Sequence, residues 1–185
     1  MTDFRLHQID SAPAGSAEAL RALEQGLGFV PNLAATMAES PVLVSGFVDL
    51  RKTLAGSELS GVEREIVALA VSLENVCDYC MAAHSTFALM QQADEEAVAA
   101  ARHGREPEDP KLAALYGFAR SLVTKRGHVD KEETQALLDA GYSRRALFEV
   151  VAQVGHTTLA NFAHSISDAP LDDAFEPQAW AKAAA

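Results

Sequence analysis

Only two of the 185 residues are cysteine and one is tryptophan, and no block of Lys or Arg occurs anywhere in the chain. The longest strongly apolar run, Ile66 to Val71, is far too short to cross a bilayer. Met1-Thr2-Asp3-Phe4-Arg5-Leu6 lacks the basic stretch and apolar run of a secretory leader, so the expected location is cytoplasmic. A formal net charge of −11 with no local basic offset repels phosphate and anionic lipid, which argues against nucleic acid or a membrane surface as partner. Alternating β-branched segments are missing too, and no strand is expected.

What remains is an Ala-rich chain, 49% hydrophobic, with apolar spacing of three to four residues between capping residues. That pattern predicts one all-α domain, with irregular tails over residues 1–16 and 170–185 and with Trp180 either anchoring the second tail or docking on a neighbouring subunit. Short helices are expected around Ala17 to Gly26 and again before Ser40, where Ser40-Pro41 caps a helix with Val44, Phe47, Val48 and Leu54 inward. Ser60-Gly61-Val62-Glu63 reads as a capping box for a helix running to about Leu73. Glu65 borders its apolar arc, whereas Glu63 and Glu74 project to the far side.

Asn75 is expected to cap the helix carrying Cys77 through Met90, Asp94 the next, Asp109-Pro110 a third, and Asp130 with Glu133 a fourth. Ser143 then opens a long apolar helix through Leu147, Val150, Val151, Val154, Thr158 and Phe162 that reads as deeply buried. His156 and His164 on it are expected to be hydrogen-bonded core or interface residues.

Both cysteines fall in Val76-Cys77-Asp78-Tyr79-Cys80-Met81-Ala82-Ala83-His84. On a helix, Cys77, Cys80 and His84 share one face, which places a dithiol beside a base. A thiol near a helix N-terminus faces unpaired N–H groups that favour thiolate. Two cysteines so close, in a reducing compartment, are poor structural staples, so redox or metal chemistry is the stronger expectation. A structural zinc site wants four N or S ligands, and with no second CxxC it would need Glu65 or another histidine to complete it. Glu65, once enclosed, is a plausible partner for His84 across the helix pair.

Glu65, followed twelve positions later by Cys77-Asp78-Tyr79-Cys80-Met81-Ala82-Ala83-His84, resembles the signature of the carboxymuconolactone decarboxylase and alkylhydroperoxidase D (AhpD) superfamily. Gly28-Phe29-Val30-Pro31-Asn32-Leu33 and Ser40-Pro41 are similar to its peroxidase-related branch. The resemblance implies an AhpD-like helical bundle assembled as a homo-oligomer, a trimer or hexamer, that reduces hydrogen peroxide or organic hydroperoxides with no bound cofactor or metal. It also implies that Cys80 attacks peroxide, Cys77 resolves, and Glu65 with His84 relays protons, with a dithiol carrier of lipoyl or thioredoxin type as reductant. The studied peroxidase has a histidine where this chain has Tyr79, an auxiliary candidate whose phenol donates hydrogen bonds but is a poor base. The decarboxylases lack the CxxC pair, and their anionic substrate needs a cationic pocket, which the sequence does not place beside His84. The alternatives are a zinc-stabilised or purely structural oligomer, and a protein disulfide reductase or redox sensor.

Overall fold

The computed structural model describes residues 4–181, so the extreme ends of both expected tails, 1–3 and 182–185, lie outside the described residues. Those described form α1 (Ala17–Leu27), α2 (Asn32–Met37), α3 (Pro41–Leu54), α4 (Gly61–Glu74), α5 (Asp78–Met90), α6 (Glu95–Arg102), α7 (Pro110–Thr124), α8 (Lys131–Asp139) and α9 (Arg144–Ser167), with a 3-10 turn at Glu176–Gln178 and no strand among them. The expected all-α architecture is what the described residues adopt.

Local capping explains most of these boundaries. Ser40 accepts from Leu43 N–H with Pro41 at the first helical position, the Ser60–Glu63 capping box closes in both directions, and Asp94, Asp109 and Ser143 each cap their helix through the side chain. α4 is the central rod: Ile66 to Val71 are each 0% exposed, as expected of a helix covered on all sides, and α5, α7 and α9 pack around it. One core cluster joins α4 to α6, α7 and α8 through Ile66, Leu69, Leu115, Tyr116 and Leu137. A second gathers α1, α2 and the start of α5 around Leu20, Leu23, Leu33, Met37, Tyr79 and Phe175. The cysteines belong to the second.

Two expectations differ from what is found. Asn75 does not cap α5; its N–H continues the hydrogen bonding of α4 to Val71, and Val76 then takes a left-handed conformation, φ 54°, that ends the helix. The cap of α5 is Cys77 itself. Glu63, on the far side of α4 from Glu65, is buried; it accepts from Tyr142 Oη at 2.9 Å and pairs with Lys111 Nζ at 3.0 Å.

α9 is only partly the buried apolar helix expected: Val150 is 0% exposed and Leu147 and Val154 pack on the core, but Val151 and Phe162 lie at the surface. Gln153, His156, Thr157 and Asn161 face inward, while Phe148, Val151, Leu159, Phe162 and Ile166 form an exposed stripe, Phe148 at 78% and Ile166 at 68%. The terminal segments are irregular but not loose. His7 N–H donates to Ala35 O and Ser16 Oγ to Ala38 O, Phe175 is 1% exposed, and Trp180 Nε1 donates to Arg102 O at 3.2 Å. Trp180 is thus an anchor within its own chain.

Candidate active site

The α4–α5 junction sets the geometry of the dithiol. With Val76 left-handed and Cys77 extended, the Cys77 side chain turns back over the first turn of α5, where its Sγ accepts the Cys80 backbone N–H at 3.3 Å. A sulfur in this N-cap position meets the orphan donors of the helix start. Hydrogen bonding from the Cys80 side chain, outweighing the cost of burial, and the neighbouring His164 pull Cys77 down to about 5. Cys80 moves the opposite way: burial, then the Cys77 sulfur beside it, hold its thiol protonated well above the ordinary range. One proton is therefore shared unequally, with the thiolate on Cys77.

Both thiols are free and buried, yet they face different spaces. Cys80 lines a cavity of about 340 Å³ together with Glu65, His84, Arg51, His156 and Gln153, its apolar wall formed by Leu23, Leu33, Met37, Phe47, Phe87 and Phe175. Cys77 lines a separate groove with Asn75, Asp78, Asn161, His164 and Trp180.

Glu65 and His84, from α4 and α5, meet as the spacing predicts: Nδ1 of His84 lies 2.7 Å from Glu65 Oε2, and both side chains are largely buried, at 14% and 16% exposure. An ionised carboxylate only accepts, so Nδ1 carries the hydrogen and Nε2 of the neutral ring is left with the lone pair. The second carboxylate oxygen takes a bond from Gln91 Nε2 at 3.4 Å. The pair lines the same cavity as Cys80.

Tyr79 has a different position. Its hydroxyl donates to Asp172 Oδ2 at 2.5 Å and accepts Leu33 N–H at 3.3 Å, while Asp172 also accepts Asn32 N–H. Burial and the Asp172 carboxylate push the phenol far above its ordinary value, so it stays a neutral donor. Tyr79 ties α5 to the start of α2 and to the C-terminal segment.

Three residues not singled out for function stand at the site. His164 ring-stacks on Tyr79 at 5.2 Å, and its Nδ1 lies 3.7 Å from Asp78. Burial depresses its basicity, but hydrogen bonding and attraction to Cys77, then Asp78, raise it overall. His156, expected to be hydrogen-bonded, has neither ring nitrogen paired; it stacks on Phe47 at 4.2 Å. Arg51, from the last turn of α3, supplies the cationic wall that the sequence did not place near His84. Among the described residues no three His, Cys, Asp or Glu side chains are grouped to hold a metal, which leaves the zinc alternative without a ligand set there.

Residues 41–121, which span Arg51, Glu65, both cysteines and His84, match the carboxymuconolactone decarboxylase family. The solved structure of an uncharacterized peroxidase-related protein from Ralstonia eutropha JMP134, with an alkylhydroperoxidase AhpD core, superposes with a TM-score of 0.83 at 20% identity over 93% of each chain. A peroxidase-related protein from Silicibacter sp. TM1040 gives 0.80 at 20% identity, covering 95% of this chain and 93% of its own. The debrominase Bmp8 gives 0.80 at 26% identity over 96% of each chain, and its cysteine-to-alanine variant in complex with 2,3,4-tribromopyrrole gives 0.79 at 24%, over 96% and 95%. No curated protein matches the sequence. Residues 41–121 thus carry the sequence pattern of the carboxymuconolactone decarboxylase family, and the chain as a whole shares the fold of the AhpD-core structures.

Proposed function

We propose that the protein is a thiol-dependent peroxidase that reduces hydrogen peroxide or an organic hydroperoxide through a dithiol/disulfide cycle of Cys77 and Cys80. The observation that carries this reading is the placing of Cys80 on one cavity wall with the Glu65–His84 pair, beside a Cys77 already set up as thiolate.

The steps follow from that arrangement. Cys80 is held as a thiol and needs a base, which Nε2 of His84 supplies with Glu65 orienting the ring. The Cys80 thiolate attacks the terminal peroxide oxygen, the O–O bond breaks, and the proton returns from His84 to the departing alkoxide as alcohol. Cys77, a thiolate at neutral pH, then attacks the Cys80 sulfenic sulfur and expels hydroxide, which leaves as water after taking up a proton. An external dithiol, of lipoyl or thioredoxin type, returns two electrons and two protons. Net, peroxide plus two electrons and two protons gives alcohol and water, with Tyr79 positioning α5 rather than moving protons.

The exposed Phe148–Ile166 stripe on α9 supports a second copy of the chain as its cover, in a homo-oligomer of trimer or hexamer size. The cytoplasm is the expected setting for such a dithiol cycle. No helix of the described residues is long and apolar enough to cross a membrane.

A second reading has one observation in its favour. The cavity wall carries Phe47, Phe87 and Phe175, which suits an aromatic ligand, and the likeness to debrominase Bmp8 makes reductive removal of bromine from such a ring the competing chemistry. The deciding experiment gives the protein and a dithiol reductant either cumene hydroperoxide or a bromopyrrole. Turnover of the hydroperoxide without bromide release supports the peroxidase. Bromide release with the hydroperoxide untouched transfers the dithiol to the second chemistry.

A further inference from the structure

Arg51 is a half-buried cation whose charge is offset only at a distance, by Glu65. Its guanidinium lies over the Phe87 ring at 5.5 Å from the centroid, and among the described residues it makes no hydrogen bond and no ion pair within 4.0 Å. Glu65 is near enough to be felt electrostatically, but its carboxylate is committed to His84 and Gln91. Stacking uses only the flat face of a guanidinium; its five N–H donors lie in the plane and stay unpaired.

The contrast with Lys52 is informative. Both sit in the last turn of α3, where any cation complements the helix dipole, but Lys52 does this from solvent. Arg51 is turned into the cavity, where desolvation works against its charge.

A second unsatisfied group lines the same cavity. His156, 5% exposed, has no well-formed hydrogen bond on either ring nitrogen; burial, then the nearby His84 and Arg51, lower it to about 3 against a weak backbone contact with Phe47 that raises it. A buried polar side chain left without a partner costs stability and is retained where a ligand completes it. The wall around both groups is mixed: Met37, Phe47 and Phe87 supply its apolar part, and Arg64, Glu65 and Gln153 its polar part.

We propose that Arg51, backed by His156, is the recognition point for a carboxylate, so that the cavity takes an apolar or aromatic carboxylic acid. Carboxylate oxygens match the in-plane fork of Arg51, the apolar body lies along Phe47 and Phe87, and the neutral imidazole of His156 donates one further hydrogen bond. Taken with the proposed function, on which this last step rests, the reducible group of that acid is presented to Cys80. The physiological substrate is then an acid carrying a hydroperoxide rather than hydrogen peroxide itself.

The test is binding to the reduced protein, without turnover, of 4-phenylbutanoate and its equal-sized neutral amide, measured by calorimetry. The wild type is expected to bind the carboxylate about tenfold or more tightly than the amide, the scale of charge-assisted hydrogen bonds. In Arg51→Gln that ratio falls toward one, Arg51→Lys keeps part of it, and His156→Phe weakens the carboxylate severalfold. Equal binding of acid and amide, no binding of the acid, or a ratio that survives Arg51→Gln in a protein of unchanged helical content overturns the proposal. Because the readout needs no redox step, failure of the peroxidase reading leaves the binding ratio intact. Turnover of cumene hydroperoxide with no carboxylate preference removes the subsite alone.

Discussion

The Cys77 sulfur accepts the backbone N–H of Cys80 at 3.3 Å, so two thiols three residues apart are chemically unequal before any substrate arrives. The first caps the helix and carries the charge, and the second keeps its proton and faces the cavity. An attacking thiol that is held protonated requires a base, and the Glu65–His84 pair stands on the same wall.

This inequality is directly readable. Thiolate absorbance in the ultraviolet should appear with a midpoint near pH 5 and belong to Cys77; in Cys80→Ala the midpoint should rise, because the Cys80 side chain is the largest stabiliser of that thiolate. Folded-state depression also has a thermodynamic sign. Stability from Cys77 is complete above its unfolded value of about 8.5 and is lost as pH falls toward 5, so Cys77→Ala should flatten the stability profile across that window.

Removing the base should leave the fold and slow the chemistry. Glu65→Gln keeps a hydrogen-bonding side chain beside His84 but no longer fixes which ring nitrogen holds the proton. Peroxide-dependent sulfenic acid formation at Cys80 should fall by roughly a hundredfold or more, the scale of a general base, with the circular dichroism unchanged. An unaltered rate would remove Glu65 from the mechanism. Cys77→Ser should instead let the sulfenic acid accumulate for trapping, and Cys80→Ser should form none.

The Tyr79 hydroxyl serves the fold. Tyr79→Phe strips Asp172 of a buried donor and should cost about 1–3 kcal/mol in urea unfolding, while single-turnover peroxide reduction keeps its rate. Loss of chemistry at full stability would instead give the phenol a proton-transfer role.

His156 predicts an acid-side effect with the opposite group chemistry. A histidine lowered from 6.5 to about 3 binds fewer protons folded than unfolded, so its neutral burial is favourable only above the unfolded value and is penalised progressively as pH drops from 6.5 toward 3. His156→Phe keeps the stack on Phe47 and removes two unpaired nitrogens. It should equal or exceed the wild type in stability at pH 7 and exceed it clearly at pH 5, by thermal unfolding.

The α9 stripe is tested by charge. Phe148→Glu combined with Phe162→Glu adds two carboxylates to an exposed apolar face, with 78% and 58% exposure at those positions. Light scattering should show a smaller species with unchanged helical content. An unchanged mass would place the interface elsewhere.

How much of this was legible in sequence depended on whether the cause was local. Ser40-Pro41, the Ser60–Glu63 box, Asp94, Asp109-Pro110 and Ser143 are short-range capping chemistry, and the helices start where they imply. Glu65 and His84 met because each lies on the facing arc of adjacent helices. Cys77 as the cap, by contrast, depends on a left-handed Val76, a conformation that a β-branched side chain gives no reason to expect. The exposed stripe of α9 was not legible for another reason: an apolar residue reads the same in sequence whether its helix face is buried or at the surface. Arg51 could not be placed beside His84, since only the packing of α3 brings them to one cavity.

The central claim is that Cys77 and Cys80 form one redox pair that a hydroperoxide oxidises. Free thiols should therefore be counted in the reduced protein before and after one equivalent of cumene hydroperoxide. The account predicts loss of both thiols per chain, as an intramolecular disulfide that a dithiol restores. Two thiols still free after peroxide treatment would contradict it.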